Sequence, residues 1–204
     1  MTRRALLGAL WPAAAAAQRL DASVPVPYFI APGKDVAGFQ AGDPTLAEWA
    51  LADWGRATGG ALRFRRAAEP DALLRVYWEP GRGGLYGEMV PIKVNGRPGA
   101  AVLVLPDTQM LGADIAAEAR RDPLFRDTVV YLTCLHETGH GLGLSHTSDF
   151  ADIMYFFGYG GDIPGFFRRY RQQLERREDI QKNSGLSAGD VERVRKLYAP
   201  DAAR

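Results

Sequence analysis

Apolar positions along the chain fall into two periods, and these lay out an alternation of strands and helices. Residues 24–30, Val-Pro-Val-Pro-Tyr-Phe-Ile, read as a first strand whose prolines defer regular pairing to about Tyr28. Asp43 and Pro44 then open a helix, with an acceptor at the cap and proline in the first turn. Its apolar stripe is Leu46, Trp49, Ala50, Trp54 and Ala57, and Gly59-Gly60 ends it. The two tryptophans are expected to anchor this helix on a sheet. Residues 62–66 and 73–79 read as strands, and 85–94 with 100–105 as a hairpin joined by the loop 95–99. Residues 109–121 are predicted helical. Pro123 opens the next helix, whose apolar face Leu124, Val129, Leu132 and Leu135 continues into His136. Two further helices follow. One spans 166–182, rich in arginine, with Phe167, Tyr170 and Leu174 on one face; it reads as an amphipathic helix packed on the domain rather than a membrane or partner surface. The other is capped by Ser187 and carries Leu186, Val191, Val194, Leu197 and Tyr198.

Composition narrows the picture. A chain of 204 residues with net charge +1 suits one domain with its own core and gives no electrostatic case for nucleic acid. Residues 1–17 carry Arg3 and Arg4 ahead of an uncharged apolar run that is too short to span a bilayer and ends in alanines. That pattern is an export signal, by the twin-arginine or the general secretory route, and puts the mature protein in the periplasm or outside the cell. No cysteine follows the run, so no lipid anchor is expected. The glycine-rich loop at 80–84 lacks the lysine and helix of a phosphate loop, so nucleotide binding is set aside.

The chemistry concentrates in His136-Glu-Thr-Gly-His140-Gly-Leu-Gly143-Leu-Ser-His146, which reads H-E-x-x-H-x-x-G-x-x-H. The chain has three histidines, and all three occupy this motif. Residues four apart share a helix face, so His136 and His140 can hold one zinc between them. Gly143 can take the left-handed conformation that ends a helix, which would bring His146 back as the third ligand. Three protein ligands leave a fourth position for water, the catalytic arrangement. Glu137 follows the first ligand and can reach beside the metal without binding it. Cys134, the single cysteine, lies two residues before His136 and should face away from the metal as a small core residue.

These residues, with Met154 in Asp149-Phe-Ala-Asp-Ile-Met-Tyr155, resemble the metzincin clan of zinc endopeptidases and, within it, the matrixins. Met154 matches the methionine of the clan's Met-turn, and the segment from Leu186 to Tyr198 is similar to the closing matrixin helix. Thr147 stands where matrixins usually carry serine. The resemblance covers about Val24 to Tyr198. It implies an α/β (α+β) fold over residues 22–204, with a twisted mixed sheet, an active-site helix, a Met-turn and a C-terminal helix. It further implies one catalytic zinc on His136, His140 and His146, with Glu137 as general base. Residues 85–92 would be the edge strand along which an extended substrate lies. The pocket for the residue after the scissile bond maps to Leu132 and to the aromatic wall holding Tyr155 and Tyr159, so a bulky apolar residue is expected there. Phe156 occupies the place of the tyrosine ligand of some metzincins, so none is expected. Only a few residues separate the expected cleavage site from the first strand, so no full matrixin propeptide is expected; Asp21 is the one acid of that stub that could cap the metal. Calcium stays open, because no D-x-D-x-D-G loop is present and no aspartate is assigned to an ion.

The expected activity is therefore that of an exported, monomeric zinc metalloendopeptidase acting on a protein or peptide, with no stable membrane anchor. Two rivals stand beside it: a catalytically silent secreted zinc-binding module, and a zinc amidase acting on a non-protein substrate. An intact Glu137 argues against the first, since a structural site has no use for that carboxylate.

Overall fold

A computed structural model describes residues 19–33 and 35–199. The expected export signal over 1–17 lies outside them. The fold is mixed α/β, with a five-stranded mixed sheet and five α-helices among the described residues. The sheet is built from β1 (Val26–Ile30), β2 (Phe64–Arg66), β3 (Leu74–Trp78), β4 (Gly87–Val94) and β5 (Arg97–Val104), in the order β2-β1-β3-β5-β4. The first four in that order run parallel; β4 alone is antiparallel and forms an edge.

Pairing in β1 begins earlier than its prolines suggest. Val26 N–H already donates to Arg63 O at 2.8 Å, and Leu73 N–H donates to Pro27 O at 2.9 Å. The β1–β3 register starts only at Tyr28, so the N–H that Pro27 lacks falls before that ladder. The β4–β5 connection is also tighter than the expected 95–99 loop. Val94 pairs with Arg97 across Asn95 and Gly96, both at positive φ (50° and 77°), a two-residue turn of the kind that matches strand twist.

The helices are α1 (Asp43–Ala57), α2 (Ala113–Arg121), α3 (Pro123–Gly141), α4 (Ile163–Arg171) and α5 (Ala188–Tyr198). Helix α3 is the axis of the molecule: it packs against α1, α2, α4, β4 and β5, and is buried along most of its length. Asp122 starts it by accepting from Leu124 N–H and Phe125 N–H, with Pro123 in the first turn. Trp54 is fully buried and ties α1 to this helix, its Nε1–H donating to Leu135 O at 3.0 Å. Trp49 is only partly buried, with the Arg177 guanidinium over its ring.

Asp43 does not cap α1. Gly42 holds the cap position without a side-chain bond, while Asp43 accepts from Gln40 N–H and pairs with Arg126 of α3, both charges buried. The predicted 109–121 helix begins as a 3-10 turn at Thr108–Met110 and becomes α-helical only after Gly112. The predicted 166–182 helix starts at Ile163 and stops at Arg171, followed by a 3-10 turn at Arg177–Gln181. Beyond that end, the Asp179 carboxylate accepts from Glu175 N–H and Arg176 N–H, an alternative to helical bonding. The arginines of this region are spent on the domain: Arg168 pairs with Glu118, Arg171 with Asp122 and Arg177 with Asp127. No helix among the described residues is long and apolar enough to cross a membrane.

Candidate metal centre

The ligand-bearing end of α3 is shaped by close approaches that only glycine allows. A Cβ on Gly139, between the two helical histidines, would stand 2.5 Å from Met154 Sδ and 3.0 Å from Trp54 Cζ2. Helix α3 ends at Gly141, and Gly143 takes φ 101°, the left-handed turn the motif demands. The chain then doubles back to His146 and enters a second turn. Thr147 N–H donates to Met154 O at 2.8 Å, Phe156 N–H to Thr147 O at 3.1 Å, and Tyr155 N–H to Asp152 O at 3.2 Å. Met154, fully buried, thus sits in a tight turn beneath the helix. Helix α5 anchors that turn. Ser187 caps α5, and Asp190 accepts from both Ser187 N–H and Ile153 N–H, at 2.9 and 2.8 Å. Thr147 and Ser187 hydroxyls and Arg193 all bond to Asp152.

His136, His140 and His146 lie close enough together to bind one metal ion, their ligand atoms all within 4.8 Å of one another. His146 Nε2 is 3.3 Å from His136 Nε2 and 3.1 Å from His140 Nε2. Nitrogens about 2.0–2.1 Å from a tetrahedral metal stand roughly 3.3 Å apart, so the spacing fits. The other ring nitrogens are committed: His136 Nδ1 meets Ile153 O at 2.6 Å and His140 Nδ1 meets Leu144 O at 2.9 Å. A carbonyl only accepts, so both Nδ1 atoms carry the proton and both Nε2 atoms present a lone pair inward. A single N–H on His146 could satisfy at most one of them well; a cation satisfies all three. Burial holds His136 down at about 3 and His146 at about 4, with neighbouring histidines adding to the effect, and it lowers His140 too. All three are therefore neutral and ready to ligate at neutral pH.

Glu137 is buried on the flank of α3 that faces the edge strand. Its Cγ would stand 2.7 Å from a Cβ on Gly87, the first residue of β4. Burial pushes its carboxyl up to about 8, Glu88 adds to the rise, and the Met89 N–H opposes it. Such a group can both take and hold a proton near neutrality.

The remaining sequence candidates divide. Leu132 lines a cavity of about 190 Å³ together with Ile153, Phe166, Tyr170 and the 184–187 segment. Tyr155 and Tyr159 stand outside that lining. Tyr155 is buried and donates to Gly160 O, while Tyr159 is 65% exposed. Phe156 instead packs against His146 with the rings tilted by 40° and their centroids 4.8 Å apart. Asp21 accepts from Ser23 and Arg97 and does not belong to the histidine cluster. Cys134 is buried in the core, as expected. Sequence reasoning missed the Ile153 and Leu144 carbonyls, which orient two ligands; being main-chain groups, they leave no residue signature. It also missed Gly87, whose small size was legible but whose neighbour was not.

The chain matches no protein-family model, and no curated protein matches its sequence.

Proposed function

We propose that this protein is an exported zinc-dependent endopeptidase of the metzincin kind. The observation that carries the reading is the three-histidine cluster whose ring tautomers are fixed by main-chain carbonyls, with a buried carboxylate on the residue after the first ligand. His136, His140 and His146 would hold the ion; a set of three neutral imidazoles with no thiolate suits catalytic zinc. Zinc so held supplies Lewis acidity, polarising a carbonyl and acidifying water. Glu137 accepts the proton of the attacking water and passes it to the leaving amine. A bound dication would favour the carboxylate form of Glu137 that this step needs, against the burial that raises its carboxyl. Strand β4 offers an unpaired edge running past Glu137, on which an extended peptide can add as a further strand. The Met154 turn and α5 keep His136 oriented during turnover. Export is supported by Arg3 and Arg4 ahead of the apolar run.

The test pairs two substitutions. Glu137→Gln binds one zinc per chain yet loses about 10²–10⁴-fold in peptidase turnover, as expected for a missing general base. His140→Ala loses both metal and activity. Zinc content by atomic absorption and cleavage of a fluorogenic peptide separate the outcomes. A parent protein that binds zinc and cleaves no peptide overturns the endopeptidase reading.

A further inference from the structure

The cavity beside Leu132 shares two walls with the metal centre. Leu132 lies one helical turn before His136 on α3, and Ile153, on the same rim, gives its carbonyl to His136 Nδ1. The space therefore adjoins the segment that carries the histidines. At about 190 Å³ it has room for an amino-acid side chain.

The lining is not uniformly apolar. Arg169, Gln173, Ser184 and Ser187 line the space along with Leu132 and Ile153. Three of these polar groups already have partners: Gln173 Nε2 donates to Arg169 O, Ser184 Oγ accepts from Leu186 N–H, and Ser187 Oγ donates to Asp152. Arg169 is the one charged residue of the lining. It differs from its neighbours on α4, since Arg168 and Arg171 pair with Glu118 and Asp122 of the chain. Among the described residues Arg169 bonds instead to two carbonyls, Phe150 O at 3.0 Å and Ala151 O at 3.3 Å. Its guanidinium also lies over the rings of Phe166 and Phe150, 5.1 and 5.7 Å from their centroids. Arg169 is exposed at the mouth of this space, and the carbonyls and rings hold its planar fork there without neutralising it, with N–H donors left over. A fixed, unneutralised guanidinium is preorganised to bind a carboxylate with two parallel hydrogen bonds.

We propose that Arg169 sets substrate specificity, selecting an acidic side chain next to the scissile bond. This rests on the endopeptidase reading above. The experiment has two stages. The zinc-loaded parent is first incubated with a proteome-derived peptide mixture, and cleavage sites are read by mass spectrometry. Matched fluorogenic peptides with Glu or Gln at the selected position are then compared on the parent, Arg169→Gln, Arg169→Lys and Arg169→Glu. The parent should favour Glu over Gln by about 10–100-fold in kcat/KM, the range of a charge-assisted hydrogen bond. Arg169→Gln should bring the ratio to about one, Arg169→Lys should retain part of it, and Arg169→Glu should favour a lysine peptide. A ratio taken within one preparation does not depend on how much of a variant folds. Cleavage dominated by leucine or other bulky apolar residues, as Leu132 alone suggests, overturns the proposal, as does a Glu/Gln ratio unchanged in Arg169→Gln. Both results leave the endopeptidase reading standing; a parent that cleaves no peptide removes both.

Discussion

Replacing Gly139 with alanine tests whether the methionine turn sets the metal site. The new Cβ would come within 2.5 Å of Met154 Sδ and 3.0 Å of Trp54 Cζ2. Both side chains are completely buried, and Trp54 is also held by its bond to Leu135 O. With no room to retreat, the overpacking costs about 1–3 kcal/mol. Alanine's better helix propensity returns about 1 kcal/mol, so the raw sign is ambiguous. Gly55→Ala removes the ambiguity. It lies inside α1, where an added Cβ would meet Leu62 O at 3.4 Å and Phe64 Cδ2 at 3.9 Å, both ordinary contacts. The propensity gain cancels between the two variants and leaves the overpacking alone. At about 2–4 °C per kcal/mol for a chain of this size, Gly139→Ala should melt about 2–12 °C below Gly55→Ala. It should also bind metal about 10–100-fold more weakly, because Ile153, beside Met154, orients His136. Differential scanning fluorimetry and competition with a chromophoric chelator give the two readings. If Gly139→Ala melts with Gly55→Ala and holds metal as tightly as the parent, the Met154 contact does not position the ligand helix.

Asp190→Ala removes the acceptor for Ser187 N–H and leaves the buried Ile153 N–H unpaired; the urea midpoint should fall by the equivalent of about 2–4 kcal/mol. Burial raises the Asp53 carboxyl from 3.8 to about 6, against the Tyr131 hydrogen bond and the Arg56 charge. A raised pKa favours the folded state in acid, and that contribution is lost as pH rises through about 6. Urea melts of Asp53→Asn should therefore gain on those of the parent between pH 4 and 7 and run parallel above. In chelator-stripped protein, the unfolded chain takes up protons near pH 6.5 that the lowered His136 and His146 refuse. Its thermal midpoint should fall from pH 7 to pH 5 on their account, and a His136→Gln/His146→Gln variant should show less of that fall.

The parts of the fold legible in the sequence were those written in local spacing. The Pro123 start and apolar face of α3, the Gly143 break and the Ser187 cap each depend on residues within a few positions of one another, and each stands where it was expected. What escaped was decided by distant partners. Asp43 looks like a cap until Arg126 arrives from 83 residues away. The Trp54 indole has a polar partner that its apolar spacing does not reveal, the Leu135 carbonyl of α3. The 166–182 segment keeps helical apolar spacing through Leu174, but past it the Asp179 carboxylate competes for the backbone. At the candidate metal centre, spacing picked out the three clustered histidines and their neighbour Glu137. It could not name the carbonyls that turn two of the rings, nor the cavity wall on which Arg169 stands.

The carbonyls of Ile153 and Leu144 have a consequence for how this centre can change over generations. Where a side-chain carboxylate steadies a ligand ring, one codon change deletes it. Here the acceptors belong to the peptide chain itself, and every residue type carries one. Drift at positions 144 and 153 therefore meets selection for size and apolarity but none for hydrogen-bonding chemistry. Heritable damage to the orientation of His136 and His140 must come through the chain's path: a disrupted turn at Gly143, a lost Asp190 anchor, or an insertion between 141 and 154. The mutational target that protects the ligands is thus displaced from their immediate neighbours to the bends that carry them, and deep mutational scanning should find the tolerance map shaped accordingly.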